Sequence, residues 1–282
     1  MTLREANQAL LLHLQQVYDL REAGNIANWV MEHLTGYDNI GRAINSDSLL
    51  SEAAAGKLKN YTQELVKHRP VQYVLGESWF CGMKFYVDEH VLIPRPETEE
   101  LVQWVADDHP CVQARVLDIG TGSGCIPIAL KKLSSVFKVY SCDISGSAIE
   151  VAKKNADILS AEVTFLQIDV LDRSSWETIP AIEIIVSNPP YISLKEKGSM
   201  GANVVEYEPS LALFVKDADP LLFYKAIAAL GKIKLADKGK IYVEIHENMG
   251  KATAAIFRAE GYRSAEIRKD MQGKERMIKI IK

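Results

Sequence analysis

The stretch Val116-Leu117-Asp118-Ile119-Gly120-Thr121-Gly122-Ser123-Gly124-Cys125-Ile126 decides the fold. An apolar run ends, glycines follow at alternate positions, and a helical pattern resumes at Ile126. Glycine lets the backbone turn sharply and approach a ligand, and the carboxyl edge of a parallel sheet is where α/β folds bind ligands. The segment therefore reads as a strand, a ligand-cradling turn and a helix. The third glycine comes two residues after the second, so the dinucleotide spacing G-x-G-x-x-G is not met.

Outward from this turn, strand-like and helix-like segments alternate. Arg115 to Ile119, Lys138 to Asp143, Val163 to Ile168, Ile182 to Ser187 and Lys240 to Ile245 read as strands. Ile126 to Leu133, Ala148 to Leu159 and Pro220 to Leu235 read as helices between them. Met249 to Glu260 continues as helix, then Arg263 to Arg268 and Arg276 to Ile281 as strands. The expected fold class is α/β, a mainly parallel sheet with helices on both faces and an antiparallel C-terminal hairpin.

Upstream the period changes. Ala23, Ile26, Ala27, Val30, Met31 and Leu34 form one face of a helix that Gly36 ends. A further helix runs from near Asp47 through Leu65 until Pro70 forbids continuation. Residues 1–70 are expected to form a small helical bundle. Val71 to Leu92, with short aromatic and β-branched runs broken by Gly76 and Gly82, suits a β-hairpin connector spanning 71–93. Pro94-Arg95-Pro96 then stiffens the chain before an acidic helix start at Glu97, and the larger domain takes residues 94–282.

Composition excludes several classes. The 282 residues are 48% hydrophobic and 25% charged, and no apolar run approaches the roughly 20 residues needed to span a bilayer. The N-terminus lacks the apolar core of a secretory signal, so the expectation is a cytoplasmic chain with no membrane association. A net charge of −4 argues against nucleic acid as a stable partner. Cys81, Cys111, Cys125 and Cys142 form no C-x-x-C pair and the six histidines show no ligand spacing, so no metal is expected. The cysteines read as buried free thiols.

Chemistry concentrates at strand ends. Asp143 ends the second strand, where a carboxylate can accept both hydroxyls of a ribose; its other reading is a helix cap. Asp118 is placed to meet a cationic ligand group, directly or through water, or else simply to form the turn. Asp169 is a candidate for a base edge. At the end of the fourth strand comes Asn188-Pro189-Pro190-Tyr191, where two prolines fix the backbone and present the Asn side chain to the cleft. The Asn188 oxygen and Pro189 carbonyl can accept the N–H groups of a planar nitrogen, and Tyr191 can stack on it. Ser193 to Tyr207, with Gly198 and Gly201, reads as a mobile lid that Glu208 orients, and His246 as a solvated loop histidine.

Together with Arg69-Pro70-Val71-Gln72-Tyr73-Val74-Leu75-Gly76, Ile93-Pro94-Arg95-Pro96-Glu97-Thr98-Glu99 and Tyr207-Glu208-Pro209 with Leu211-Ala212-Leu213, these motifs closely resemble the HemK/PrmC family over nearly the whole chain. The Pro94 to Glu99 signature is the most distinctive of them, whereas Asn-Pro-Pro-Tyr also occurs in DNA adenine and some ribosomal RNA methyltransferases. The resemblance implies a class I S-adenosylmethionine-dependent methyltransferase fold. It implies methyl transfer from S-adenosyl-L-methionine to the glutamine N5 of the GGQ motif in peptide-chain release factors, leaving S-adenosyl-L-homocysteine. The helical domain and connector would hold the release factor, and a monomer is expected. The cofactor set is then Glu97, Asp118, Gly120, Thr121, Gly122, Ser123, Gly124, Asp143, Ile144, Asp169, Val170 and Asn188; the substrate set is Asn188, Pro189, Pro190 and Tyr191. Val170 stands where the family often has an aromatic residue, and Glu244-Ile245-His246 where it often has Glu-Ile-Gly. The alternative is an amino methyltransferase of DNA or RNA, which shares the catalytic argument.

Overall fold

The computed structural model describes residues 1–282, the side chain of Ser199 excepted. The chain divides into two units, Met1–Glu77 with Gly201–Tyr207, and Ser78–Met200 with Glu208–Lys282.

The first unit is helical. Helix α1 (Leu3–Leu14) opens on a capping box, Thr2 with Glu5, while α2 (Leu20–Thr35) is capped by Asp19 and α3 (Glu52–Leu65) by Ser51. Apolar stripes from the three meet in a core of Leu3, Ala6, Leu10, Leu14, Ala23, Ile26, Ala27, Val30, Met31, Leu58 and Leu65. Leu34, the last position of the expected stripe, is only partly buried against it. Gly36 ends α2 at φ +71°, a left-handed conformation that glycine adopts without penalty. Val71–Leu75 is a short helix rather than part of a hairpin: Pro70 starts it and Gly76, at φ +67°, ends it. Gly201–Tyr207 completes the unit, and the Tyr207 hydroxyl donates to the Lys67 carbonyl at 2.7 Å.

In the second unit a short hairpin comes first, Ser78–Phe80 with Met83–Phe85. Cys81 and Gly82 both have positive φ, the conformation that tight two-residue hairpin turns demand. The main sheet has seven strands: β1 (Arg115–Ile119), β2 (Lys138–Asp143), β3 (Val163–Gln167), β4 (Ile182–Ser187), β5 (Leu235–Glu244), β6 (Ser264–Lys269) and β7 (Glu275–Ile281). Their order is β6-β7-β5-β4-β1-β2-β3. Five run parallel, and the β6–β7 hairpin joins antiparallel beside β5. Alternate residues of each strand feed opposite faces. Val116, Ile184, Val186 and Tyr242 pack with α4 (Pro96–Asp108) and α5 (Cys125–Leu133), while Leu117, Ile119, Ile185, Ile241 and Val243 pack with α7 (Leu222–Lys234) and α8 (Gly250–Ala259). Helix α6 (Gly146–Ile158) connects β2 to β3.

β5 begins five residues earlier than its apolar run indicates, because Lys238 at φ +62° and the register shift against β4 absorb the polar segment as a bulge. Ser193 to Tyr207 carries structure of its own: a strand pair of Ile192–Ser193 with Phe214–Val215, a 3-10 turn at Leu194–Ser199 and a helix at Ala202–Tyr207. Cys111 is exposed at φ +55° and Cys142 is buried, so the thiols do not share one environment. Among the described residues, no helix is long and apolar enough to cross a membrane, and no cluster of three metal-ligating side chains occurs.

Candidate active site

The chain runs from β1 to β3 on one side of β1, and β4 and β5 lie on the other. This reversal opens a crevice at the carboxyl ends of β1 and β4, the place where ligands bind in open α/β sheets. The Ser187 hydroxyl donates to the Ile119 carbonyl at 2.7 Å and pins those two ends together. The cavity there is lined by Gly120 and Gly122 after β1, Asp143 and Ile144 after β2, Asp169 and Val170 after β3, and Asn188, Pro189 and Pro190 after β4.

Gly120 and Gly122 have φ of +85° and +52°. A Cβ on Gly120 would come no nearer than 3.9 Å, to the Asn188 carbonyl, and one on Gly122 would meet nothing within 4 Å. The turn thus lays bare backbone against open space. Gly124 differs: a Cβ there would stand 3.0 Å from Ile128 and 3.1 Å from Ala152, so it serves the packing of α5 on α6 and does not line the cavity.

The register of β1 with β2 sets Ser141 beside Asp118. The Ser141 hydroxyl donates to Asp118 Oδ2 at 2.6 Å, and Thr121 Oγ1 lies 2.5 Å from Ser141 Oγ. Both Asp118 and Thr121 are therefore buried under the turn rather than on the cavity wall. Asp118 Oδ1 is fully buried with no partner among the described residues. Burial, with Asp143 nearby, raises its carboxyl to about 7 against the opposing Ser141 bond. Ser123 also lies behind the wall. Its carbonyl accepts from Asn155 Nδ2 at 2.8 Å, and Asn155 exchanges two further bonds with the Tyr86 backbone. This buried Asn, absent from the sequence-derived set, ties the chain after the hairpin to the glycine turn.

Asp143 accepts from Gly122 N at 3.0 Å on one oxygen and from Ser145 N at 2.9 Å on the other. Ser145, not Asp143, caps α6. Burial pushes the Asp143 carboxyl up, and the backbone N–H groups oppose it. Asp169 holds the Leu171 N–H at 2.9 Å while also lining the cavity. The Val170 carbonyl accepts from the indole of buried Trp176 at 3.0 Å.

After β4, Asn188 Nδ2 donates to Thr98 Oγ1 at 3.1 Å. Thr98 donates to Glu244 Oε2 at 2.6 Å, and the Tyr191 hydroxyl to Glu244 Oε1 at 2.8 Å. Tyr191 is consequently drawn toward Glu244, packs partly on the core and meets His246 edge-on at 6.1 Å, outside the cavity lining. His246 is half-buried, with Nε2 3.1 Å from Glu196, which corrects the reading of a solvated side chain. Glu97 is beside this group but not on the cavity wall; it accepts from Gln272 at 3.4 Å. Thr98 and Glu244 are both 2% exposed, and neither stood among the expected site residues. A carboxylate closing the apolar strand Tyr242-Val243-Glu244 was the available signal, since a buried acid must be paired.

Pro209, Leu211 and Ala212 form another wall of the cavity, with His90 and Leu92. Glu208 accepts from Arg95 Nη2 at 2.7 Å and from Ile93 N at 3.4 Å, clasping the Pro94 to Pro96 segment. Burial raises its carboxyl, opposed by the Arg95 charge.

Two family models match the chain. A family model described as "PrmC N-terminal domain" matches residues 5–76, and one described as "Methyltransferase small domain" matches residues 97–209. The release factor glutamine methyltransferase of Flavobacterium psychrophilum is 36% identical over 271 residues, which cover 95% of this chain and 94% of that one. The protein of the same description from Bacteroides thetaiotaomicron is 41% identical over 265 residues, 94% of this chain and 95% of that one. Among solved structures, a methyltransferase from Pyrococcus furiosus has the same fold, with a TM-score of 0.54 at 15% identity over 79% of this chain and 98% of that one.

Proposed function

The chain belongs to the release factor glutamine methyltransferase family, and from that membership we propose that it transfers one methyl group from S-adenosyl-L-methionine to the side-chain N5 of the glutamine in the GGQ motif of peptide-chain release factors. One observation carries the reading. Asn188, Pro189 and Pro190 line the same cavity as Gly120, Gly122 and Asp143, so acceptors for a planar nitrogen stand beside a nucleoside cradle.

The residues present fit the cofactor. Bare backbone at Gly120 and Gly122 leaves room for it. Each Asp143 oxygen accepts one N–H, which leaves lone pairs for the two hydroxyls of a ribose. Ile144, Val170 and Leu171 offer apolar surface to a base, and Asp169 an acceptor for its amino group. Asp118, whose buried Oδ1 has no partner among the described residues, lies beneath the glycine turn and, once ionised, acts through it on a cationic methionine end. When bound, the cofactor supplies a methyl group on positively charged sulfur.

An amide nitrogen is a poor nucleophile because its lone pair is delocalised. Asn188 Oδ1 and the Pro189 carbonyl accept its N–H groups and stabilise the positive charge that grows on nitrogen. Tyr191, bound to Glu244, anchors the far end of the loop, and proton loss goes to water. The helical segment 1–70 and the connector 71–93 hold the release factor, while 94–282 carries the chemistry. The chain acts as a cytoplasmic monomer on this reading.

A methylation assay with labelled cofactor tests it. Label enters a release factor with an intact GGQ glutamine and does not enter the Gln→Ala version. Label entering DNA or RNA but neither release factor would overturn the substrate assignment.

The Asp118 carboxyl adds a pH dependence. Its folded value of about 7 lies above the unfolded range of about 4, so in the cofactor-free protein folding becomes less favourable as pH rises through that window. A bound cation favours the ionised form, so binding below about pH 7 must release a proton. Calorimetric titration then gives a cofactor affinity up to about 10-fold weaker near pH 6 than near pH 8. In Asp118→Asn this difference disappears; a wild-type affinity flat over that range removes Asp118 from the argument.

A further inference from the structure

We infer that Glu244, acting through Thr98, is a positioning residue that fixes the polarity of the Asn188 amide, so that its oxygen and not its nitrogen faces the substrate. The inference rests on the reading of Asn188 as acceptor for the nucleophile.

The argument is one of counting protons. A carboxylate only accepts hydrogen bonds, and a threonine hydroxyl has one proton to give. Thr98 gives its proton to Glu244 Oε2 at 2.6 Å, so it meets Asn188 with lone pairs alone. Asn188 must therefore turn its NH2 to Thr98, at 3.1 Å, and its oxygen is committed to the other side. Without such a partner an Asn amide turns over readily, because its terminal torsion is broad and roughly two-fold. Turned over, it would set a donor against the N–H of the substrate. The same carboxylate takes the Tyr191 proton at 2.8 Å. Glu244 therefore holds both ends of the four-residue loop, from a strand that contributes no side chain to the cavity wall.

Every element around Glu244 bears on its charge. Thr98 and Glu97 face it from α4, Tyr191 from the loop, Tyr224 from α7 and Arg276 from β7. The Tyr224 hydroxyl donates to the Glu244 carbonyl at 3.0 Å, which fixes the backbone there. Burial and Glu97 push the carboxyl up, while Thr98, Tyr191 and Arg276 favour its charged form. Once protonated it becomes a donor, and the direction of the chain of bonds is no longer enforced. Turnover then falls on the acid side.

Turnover at saturating cofactor and cofactor affinity are measured for Thr98→Val, Thr98→Ser and Glu244→Gln, with Asn188→Ala as reference. Thr98→Val and Glu244→Gln lower turnover about 10- to 100-fold, the scale of losing a partner that orients a site residue, and leave cofactor affinity within about twofold. Thr98→Ser, which keeps the hydroxyl, restores most of the rate. Adding Thr98→Val to Asn188→Ala costs nothing further, because the two act as one unit. The acid limb of the wild-type profile is absent in Glu244→Gln.

Thr98→Val at wild-type turnover, with Asn188→Ala impaired, overturns the relay and spares the Asn188 reading. Asn188→Ala at wild-type turnover removes that reading and the inference with it. Thr98→Ser as slow as Thr98→Val reduces Thr98 to a packing position and overturns the relay as well. Should Glu244→Gln not fold, the Thr98 pair decides alone.

Discussion

Asn188→Ala lowers turnover by roughly 100-fold or more and leaves cofactor affinity within about twofold of wild type, the signature of losing one preorganised partner of the reacting group. The substitution removes the side-chain acceptor while Pro189 and Pro190 keep the loop backbone in place. The Pro189 carbonyl remains and accounts for residual activity. Because the contact strengthens only as charge grows on nitrogen, kcat and kcat/KM fall together. Steady-state kinetics with a release factor as substrate, alongside calorimetric titration of the cofactor, separates the two quantities. Near-normal turnover strikes Asn188 from the reaction.

Asp143→Ala acts on the other quantity. It weakens the cofactor by about 100-fold or more, since hydrogen bonds to a charged group contribute about 1.5–3 kcal/mol each and two are lost. The loss has a second source within the protein. Gly122 N and Ser145 N both donate to this carboxylate, so the glycine turn and the start of α6 lose their common anchor. Asp143→Asn keeps one acceptor oxygen and falls between. Unchanged cofactor affinity in the alanine variant removes Asp143 from the ribose site, whatever happens to turnover.

What could be read from the sequence was what is written locally. Glycines at alternate positions after an apolar run, and two prolines after another, announce strand ends and rigid turns without reference to the rest of the chain. Gly120, Gly122, Asp143, Asn188, Pro189 and Pro190 accordingly stand on the cavity wall. Asp118 stands at the expected strand end but beneath the turn and off the cavity wall, because the bond that draws it inward comes from Ser141, and only the pairing of β1 with β2 sets those residues side by side. Thr98 and Glu244 are 146 positions apart, and no pattern within one segment could pair them. Val71 to Leu75 misled by composition: its valines and tyrosine suit a strand, yet Pro70 before and a left-handed Gly76 after frame one turn of helix.

The helical unit counts Gly201–Tyr207 among its own, held in part by the Tyr207 bond to Lys67. On a ribosome this imposes an order of events. The first 77 residues emerge early, but the helix that completes them leaves the tunnel only after about 130 more have been added, a wait of roughly 6–26 s at ordinary synthesis rates of about 5–20 residues per second. During that interval the bundle must persist incomplete while the strands of the sheet are still being made. For this chain, maturation of the N-terminal part is timed by translation of the C-terminal part.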